Sequence, residues 1–141
     1  MEENEKEKVL LTFDSEWCDN VLHCEPKRDA REVAFMREGF RRFLDCCETN
    51  SASGIVFVVG ETVSHVSDLL RRAKELGFLI GNHSLHHKPI AEMSVEQFRA
   101  DLRKSTEIIR EATDSDVTCF RAPSFSMPLK QEYFEVLEKE G

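Results

Sequence analysis

No stretch of this chain approaches the ~20 consecutive apolar residues of a membrane-spanning helix, so a helical span is not expected. No export signal is expected either. Met1 to Lys8 is charged and polar with no apolar segment behind it, which makes the cytoplasm the expected compartment. Positive charge is in short supply: 19 basic residues face 27 acidic ones, for a net charge of −8. That removes the basic face needed for broad contact with a nucleic-acid backbone, but leaves a neutral or cationic substrate open. The five cysteines, Cys18, Cys24, Cys46, Cys47 and Cys119, are odd in number and contain no C-x-x-C pair. Without an export signal they read as reduced, half-buried thiols rather than as a disulfide or metal framework.

What is present suits a single folded domain. A chain of 141 residues, 40% hydrophobic and 33% charged, can bury a core and is too apolar for a disordered segment. Residues 1–7 read as a charged tail and residues 8–141 as the domain. Lys8 to Phe13 is a short apolar run that predicts a buried strand. Val33, Met36, Phe40, Phe43, Leu44 and Cys47 recur at helical spacing and predict an amphipathic helix from Ala30 to about Cys47. The run Ile55 to Val59, closed by Gly60, is the clearest strand. Val63, Val66, Leu69, Leu70 and Ala73 mark a second helix that Gly77 ends, and Phe78 to Ile80 predicts a third strand. Ser94 and Gln97 have the spacing of a capping box, opening a helix whose inner face is Phe98, Leu102, Ser105, Ile109 and Ala112. Val117 to Phe120 predicts a fourth strand, and Lys130 to Glu140 a last helix with Tyr133, Phe134 and Leu137 inward. Alternating strands and helices argue for an α/β fold with a parallel sheet.

In such sheets functional residues gather at the C-terminal strand ends. Asp14 and Glu16 follow the first strand, His83, His86 and His87 the third, and Arg121 the fourth. If the segment turns helically, His83 and His87, four apart, share a face and can share a metal ion, with His86 off that face. A hydrolytic metal site needs a third protein ligand and a base, and Asp14 and Glu16 can divide those roles either way. Arg121 can orient whichever carboxylate serves as base and hold its pKa down.

Three segments together resemble the first three motifs of the polysaccharide deacetylases, the NodB-homology enzymes of carbohydrate esterase family four. They are Thr12-Phe13-Asp14-Ser15-Glu16, His83-Ser84-Leu85-His86-His87 and Arg121-Ala122-Pro123-Ser124-Phe125-Ser126. The resemblance implies a distorted (β/α) barrel that removes acetyl groups from N-acetylated oligo- or polysaccharides with a divalent metal, commonly zinc. It matches Asp14 to the catalytic base and Arg121 to the residue that orients it. Glu16, His83 and His87 match the metal ligands, with Glu16 two residues after the base and Ser15 where many members carry a ligand aspartate. Ser84 matches a loop-supporting hydroxyl, while Pro123, Ser124 and Phe125 match the substrate side, Pro123 and Phe125 as groove wall and Ser124 near an oxyanion-stabilising N–H.

In that family the acid is a histidine in a later motif, and this chain stops at Gly141, where those segments would begin. His23 and His65 match no family position. The resemblance therefore implies a barrel incomplete at its C-terminus, the N-terminal part of a longer enzyme. Two other readings are a metal-dependent hydrolase of a different C–N amide, and a non-catalytic fragment that self-associates through the sheet edge left open after Val117 to Phe120.

Overall fold

The structure, a computed structural model, describes residues 9–22, 25 and 27–140. The charged tail, Lys8, His23, Cys24 and Pro26 lie outside the described residues. Three strands, β1 (Leu11–Ser15), β2 (Gly54–Val58) and β3 (Leu79–Asn82), pair in parallel in the order β1-β2-β3. The helices are α1 (Cys18–Leu22), α2 (Ala30–Thr49), α3 (Val63–Glu75), α4 (Val95–Thr113) and α5 (Gln131–Glu140). Short 3-10 turns lie at Gly60–Thr62, Ile90–Glu92 and Pro123–Phe125. None of the described helices is long and apolar enough to cross a membrane.

Local chemistry sets the helix ends. Asp29 caps α2 by accepting from the backbone N–H groups of Arg31 and Glu32. The capping box at Ser94 and Gln97 is formed on both sides. Gly77 adopts φ +88 after α3, where Gly77 N–H reaches the Lys74 carbonyl and Phe78 N–H the Ala73 carbonyl. This Schellman turn needs a left-handed residue, which glycine adopts without steric cost.

The main core lies where α2 and α3 cover the sheet. Met36, Phe40, Leu44 and Cys47 of α2 meet Val63, Val66, Leu69, Leu70 and Ala73 of α3, with Val56, Val58 and Ile80 beneath. Phe13 stacks on both Phe40 and Phe43, at ring separations of 4.8 and 4.5 Å. A second cluster joins Phe98 and Leu102 of α4 to Tyr133 and Val136 of α5, over Ile90 and Met93.

The structure departs from the sequence reading at several places. The first strand is Leu11–Ser15 rather than Lys8 to Phe13, so Val9 and Leu10, read as part of a buried strand, are exposed ahead of it. Val117 to Phe120 is not a strand but a single bridge, Asn82 to Phe120, since the segment has β3 on one side and no described strand on the other. β3 instead runs two residues further than its apolar run, through Gly81 and Asn82. On α5, Phe134 is 42% exposed and Val136 takes the buried position. Among the described residues β1 forms one edge of the sheet, preceded by the exposed Val9 and Leu10.

Phe40 is wholly buried and carries the stack that joins α2 to β1. Phe40→Ala is expected to destabilise the fold by about 3–5 kcal/mol, read as a lower urea midpoint at unchanged slope. A loss under about 1 kcal/mol would contradict this account of the core.

Candidate metal centre

Parallel pairing brings the strand ends to one level. Asp14 aligns with Phe57, which aligns with Gly81, and Ser15 aligns with Val58 and then Asn82. Glu16 follows β1 directly and His83 follows β3. One ligand atom each from Glu16, His83 and His87 falls within 4.8 Å of the others. The two imidazole rings are 4.9 Å apart and nearly perpendicular.

The histidine loop is not helical. Ser84 and His87 both have positive φ, +66 and +55, so both histidines reach one point through a tight turn rather than along a helix face. Hydrogen bonds hold that turn on every side. His83 N–H donates to the Val58 carbonyl, and the carbonyls of Ser84 and Leu85 accept from Gly60 and Glu61 N–H. Ser84 N–H donates to Asn82 Oδ1 at 2.8 Å, Leu85 N–H to Asp101 Oδ1 at 3.0 Å, and His87 N–H to Ser84 Oγ at 3.0 Å. Gly60 allows the close approach, because a Cβ there would lie 2.9 Å from the Leu85 side chain and 3.1 Å from Ser105.

His83 is 2% exposed, and its Nδ1 lies 2.8 Å from the Arg121 carbonyl. A carbonyl only accepts, so the ring proton sits on Nδ1 and Nε2 presents a lone pair toward the centre. Burial also holds the His83 pKa below its ordinary value, opposed by the Arg121 carbonyl and the nearby Asp14. The ring is therefore neutral and ligand-competent near neutral pH. Glu16 Oε2 is buried and lies 2.8 Å from His87 Nε2, with no hydrogen bond to it among the described residues. A buried carboxylate oxygen and an imidazole nitrogen aimed at a common point form a donor set that fits a cation.

Asp14 and Arg121 pair beside this group, with Arg121 Nη1 2.6 Å from Asp14 Oδ1. Asp14 Oδ2 points the other way, 3.9 Å from His83 Nε2. The guanidinium also lies over the Phe57 ring, 4.2 Å from its centroid. His86 is held apart by Glu61, 2.8 Å from its Nδ1, and Glu61 also pairs with Arg28. His65 packs edge-on against Trp17. Pro123 is buried in its 3-10 turn, while Ser124 and Phe125 have positive φ and Phe125 is 89% exposed. Ser126 fastens that turn by accepting from Ile90 N–H and donating to the Pro123 carbonyl.

A family model described as polysaccharide deacetylase matches residues 1–138. The chain belongs to the polysaccharide deacetylase family. Among curated relatives, the peptidoglycan-N-acetylglucosamine deacetylase of Bacillus cereus is 25% identical over 135 residues, 96% of this chain and 39% of its own length. The peptidoglycan-N-acetylmuramic acid deacetylase of Bacillus subtilis is 27% identical over 82 residues, 58% of this chain and 31% of its own. The chain thus spans well under half the length of these two relatives. Solved structures share the fold. A CE4 family pseudoenzyme from Bacillus anthracis superposes with a TM-score of 0.74 at 22% identity, covering 96% of this chain and 41% of that one. A family 4 acetyl xylan esterase from Clostridium thermocellum, solved with a cobalt ion, gives 0.67 at 23% identity over 90% of this chain and 53% of that one.

Sequence reasoning about this polysaccharide deacetylase domain missed Asn82 and Asp101, which shape the histidine loop from outside it. Asn82 had a usable signal, a polar residue ending an otherwise apolar strand. Asp101 had none, being one of many charges on an amphipathic helix.

Burial raises the Asp101 pKa above its ordinary value, with the Leu85 N–H and His86 opposing. A carboxyl raised in the folded state favours folding when protonated. That contribution is complete below the unfolded value of ~3.9 and is lost as pH rises through the folded value. Asp101→Asn keeps an acceptor for Leu85 and removes the charge. It should be more stable than the wild-type chain at pH 7, with the gap closing toward pH ~4 in urea titrations. A variant no more stable at pH 7 would contradict this.

Proposed function

We propose that this chain is a metal-dependent hydrolase that removes acetyl groups from N-acetylated oligo- or polysaccharides. The observation that carries the reading is the convergence of Glu16, His83 and His87 beside the Asp14–Arg121 pair. Glu16, His83 and His87 would hold a divalent cation, zinc on a set of two imidazoles and one carboxylate. When bound, it would polarise the acetyl carbonyl and lower the pKa of a bound water.

The chain's own residues supply the rest. Asp14 is the base, with Oδ1 occupied by Arg121 and Oδ2 free to take a proton. Arg121 is a positioning group, since Phe57 below it and Asp14 beside it leave its guanidinium one orientation. Phe125, exposed on the turn that follows Arg121, offers an apolar face to a sugar ring, and Pro123 keeps that turn rigid. A backbone N–H near Ser124 or Phe125 would face the developing oxyanion. Neither His86 nor His65 is assigned as the acid, because Glu61 and Trp17 engage them. The family resemblance puts that acid in a later motif than the three read in this chain. The exposed Val9 and Leu10 before the edge strand β1 favour a second reading for the isolated chain, self-association through that edge.

His87→Ala should lower zinc affinity by roughly tenfold or more, measured by competition with a chromogenic chelator. Unchanged affinity would sink the site. Asp14→Asn should leave zinc affinity intact and remove whatever acetate release from chitooligosaccharides the wild-type chain shows. Loss of zinc in that variant would mean that Asp14 and Glu16 exchange roles.

A further inference from the structure

Asn82 is 1% exposed at the end of β3, and every polar atom it carries is engaged. Its Nδ2 lies 2.7 Å from Ser105 Oγ, 2.9 Å from Thr106 Oγ1 and 3.3 Å from the Leu102 carbonyl, all on α4. Its Oδ1 accepts from Ser84 N–H at 2.8 Å. Its main chain binds the segment that carries Arg121, with N–H to the Cys119 carbonyl and carbonyl from Arg121 N–H.

The amide has only one workable orientation. Ser105 Oγ donates its own proton to the Asp101 carbonyl at 2.8 Å, so toward Asn82 it offers a lone pair. The NH2 end must therefore face α4 and the oxygen end must face Ser84. From Ser84 the order passes on, because Ser84 Oγ accepts the His87 N–H while Ser84 itself sits at φ +66. A residue in the left-handed region persists where its surroundings hold it there. Asn82 does so for Ser84, between His83 on one side and His87 on the other.

We propose that Asn82 is a positioning residue that sets the shape of the metal-binding loop, with its amide oriented by Ser105 and Thr106 of α4. The inference rests on the metal-site reading above. It adds that the geometry of both histidines is fixed from α4, and that the same residue seats the backbone of Arg121.

The test uses the whole chain with three variants. Asn82→Ala removes the amide, and Ser105→Ala/Thr106→Val removes its anchors while leaving Asn82 in place. Thr113→Val is the control, deleting a buried α4 hydroxyl that bonds the Ile109 carbonyl, a full turn or more beyond the anchors. Cobalt(II) affinity and the visible absorption bands of the cobalt-loaded protein are measured, together with amide hydrogen exchange of the metal-free protein. The expected result for the first two variants is a loss of cobalt affinity of roughly tenfold to a hundredfold. Altered band shape and faster exchange at the Ser84 and His87 amides should accompany it, while Thr113→Val keeps wild-type affinity, bands and loop exchange. Wild-type affinity and bands in Asn82→Ala would overturn the inference, as would a loss no larger than that of the control. If Asn82→Ala does not fold, the Ser105→Ala/Thr106→Val variant decides by the same criteria. A wild-type chain that takes up no cobalt would overturn the metal reading alone, and exchange at Ser84 and His87 would then decide the loop inference.

Discussion

Parallel register between β1, β2 and β3 is the constraint on which the site depends. It places Asp14, Phe57 and Gly81 in one row across the sheet. The three differ in a way that makes a seat for Arg121. Asp14 supplies the countercharge, Phe57 a flat face, and Gly81 the empty volume into which the Phe57 ring extends, since a Cβ there would lie 2.7 Å from that ring. The next row, Ser15, Val58 and Asn82, faces the opposite side of the sheet by the two-residue alternation of strands. One row thus seats Arg121, and the next faces the helices, where Asn82 bonds α4. A slip of one residue would exchange those roles.

Much of this was legible because it is local. All five apolar residues read on α3 are buried, and the capping box forms where its spacing indicated. The pairing of His83 with His87 at one point was also readable, but its cause was not. The spacing suits a helix face, whereas the chain makes a turn with two left-handed residues, and that shape comes from hydrogen bonds to Asn82, Asp101, Gly60 and Glu61. Asp101, Gly60 and Glu61 are distant in sequence, and Asn82, though adjacent, carries no periodic mark. The segment 117–120 reads as a strand by composition, yet a strand is defined by its neighbours, and here β3 alone offers a short ladder. Phe134 reads as inward by its apolarity, while the helix rotates Val136 into the core.

The fold does not settle the activity. A pseudoenzyme shares it, so activity rests on the site, here the donor atoms at the strand ends, and not on the fold. In this chain those donors are arranged with their protons accounted for. His83 is neutral by burial and tautomer-locked by the Arg121 carbonyl, and Glu16 keeps an oxygen free of hydrogen bonds. Arg121 contributes twice, its carbonyl to His83 and its guanidinium to Asp14, so one residue ties the histidine to the carboxylate.

The contact between Asp14 and Arg121 spans 107 positions of the chain. Closing a loop of that length carries an entropy cost that grows only slowly with length, yet it must be met before the contact returns any stabilisation. Asp14 and Arg121 are thus a non-local pair that raises the contact order of the fold, with α2, α3 and α4 lying between them in the chain. During synthesis the first strand leaves the ribosome long before Arg121 does. For most of that interval Asp14 and Glu16 are bare carboxylates at a strand end. A chain made only as far as β3 thus carries Asp14 without the arginine that pairs with it in the folded structure.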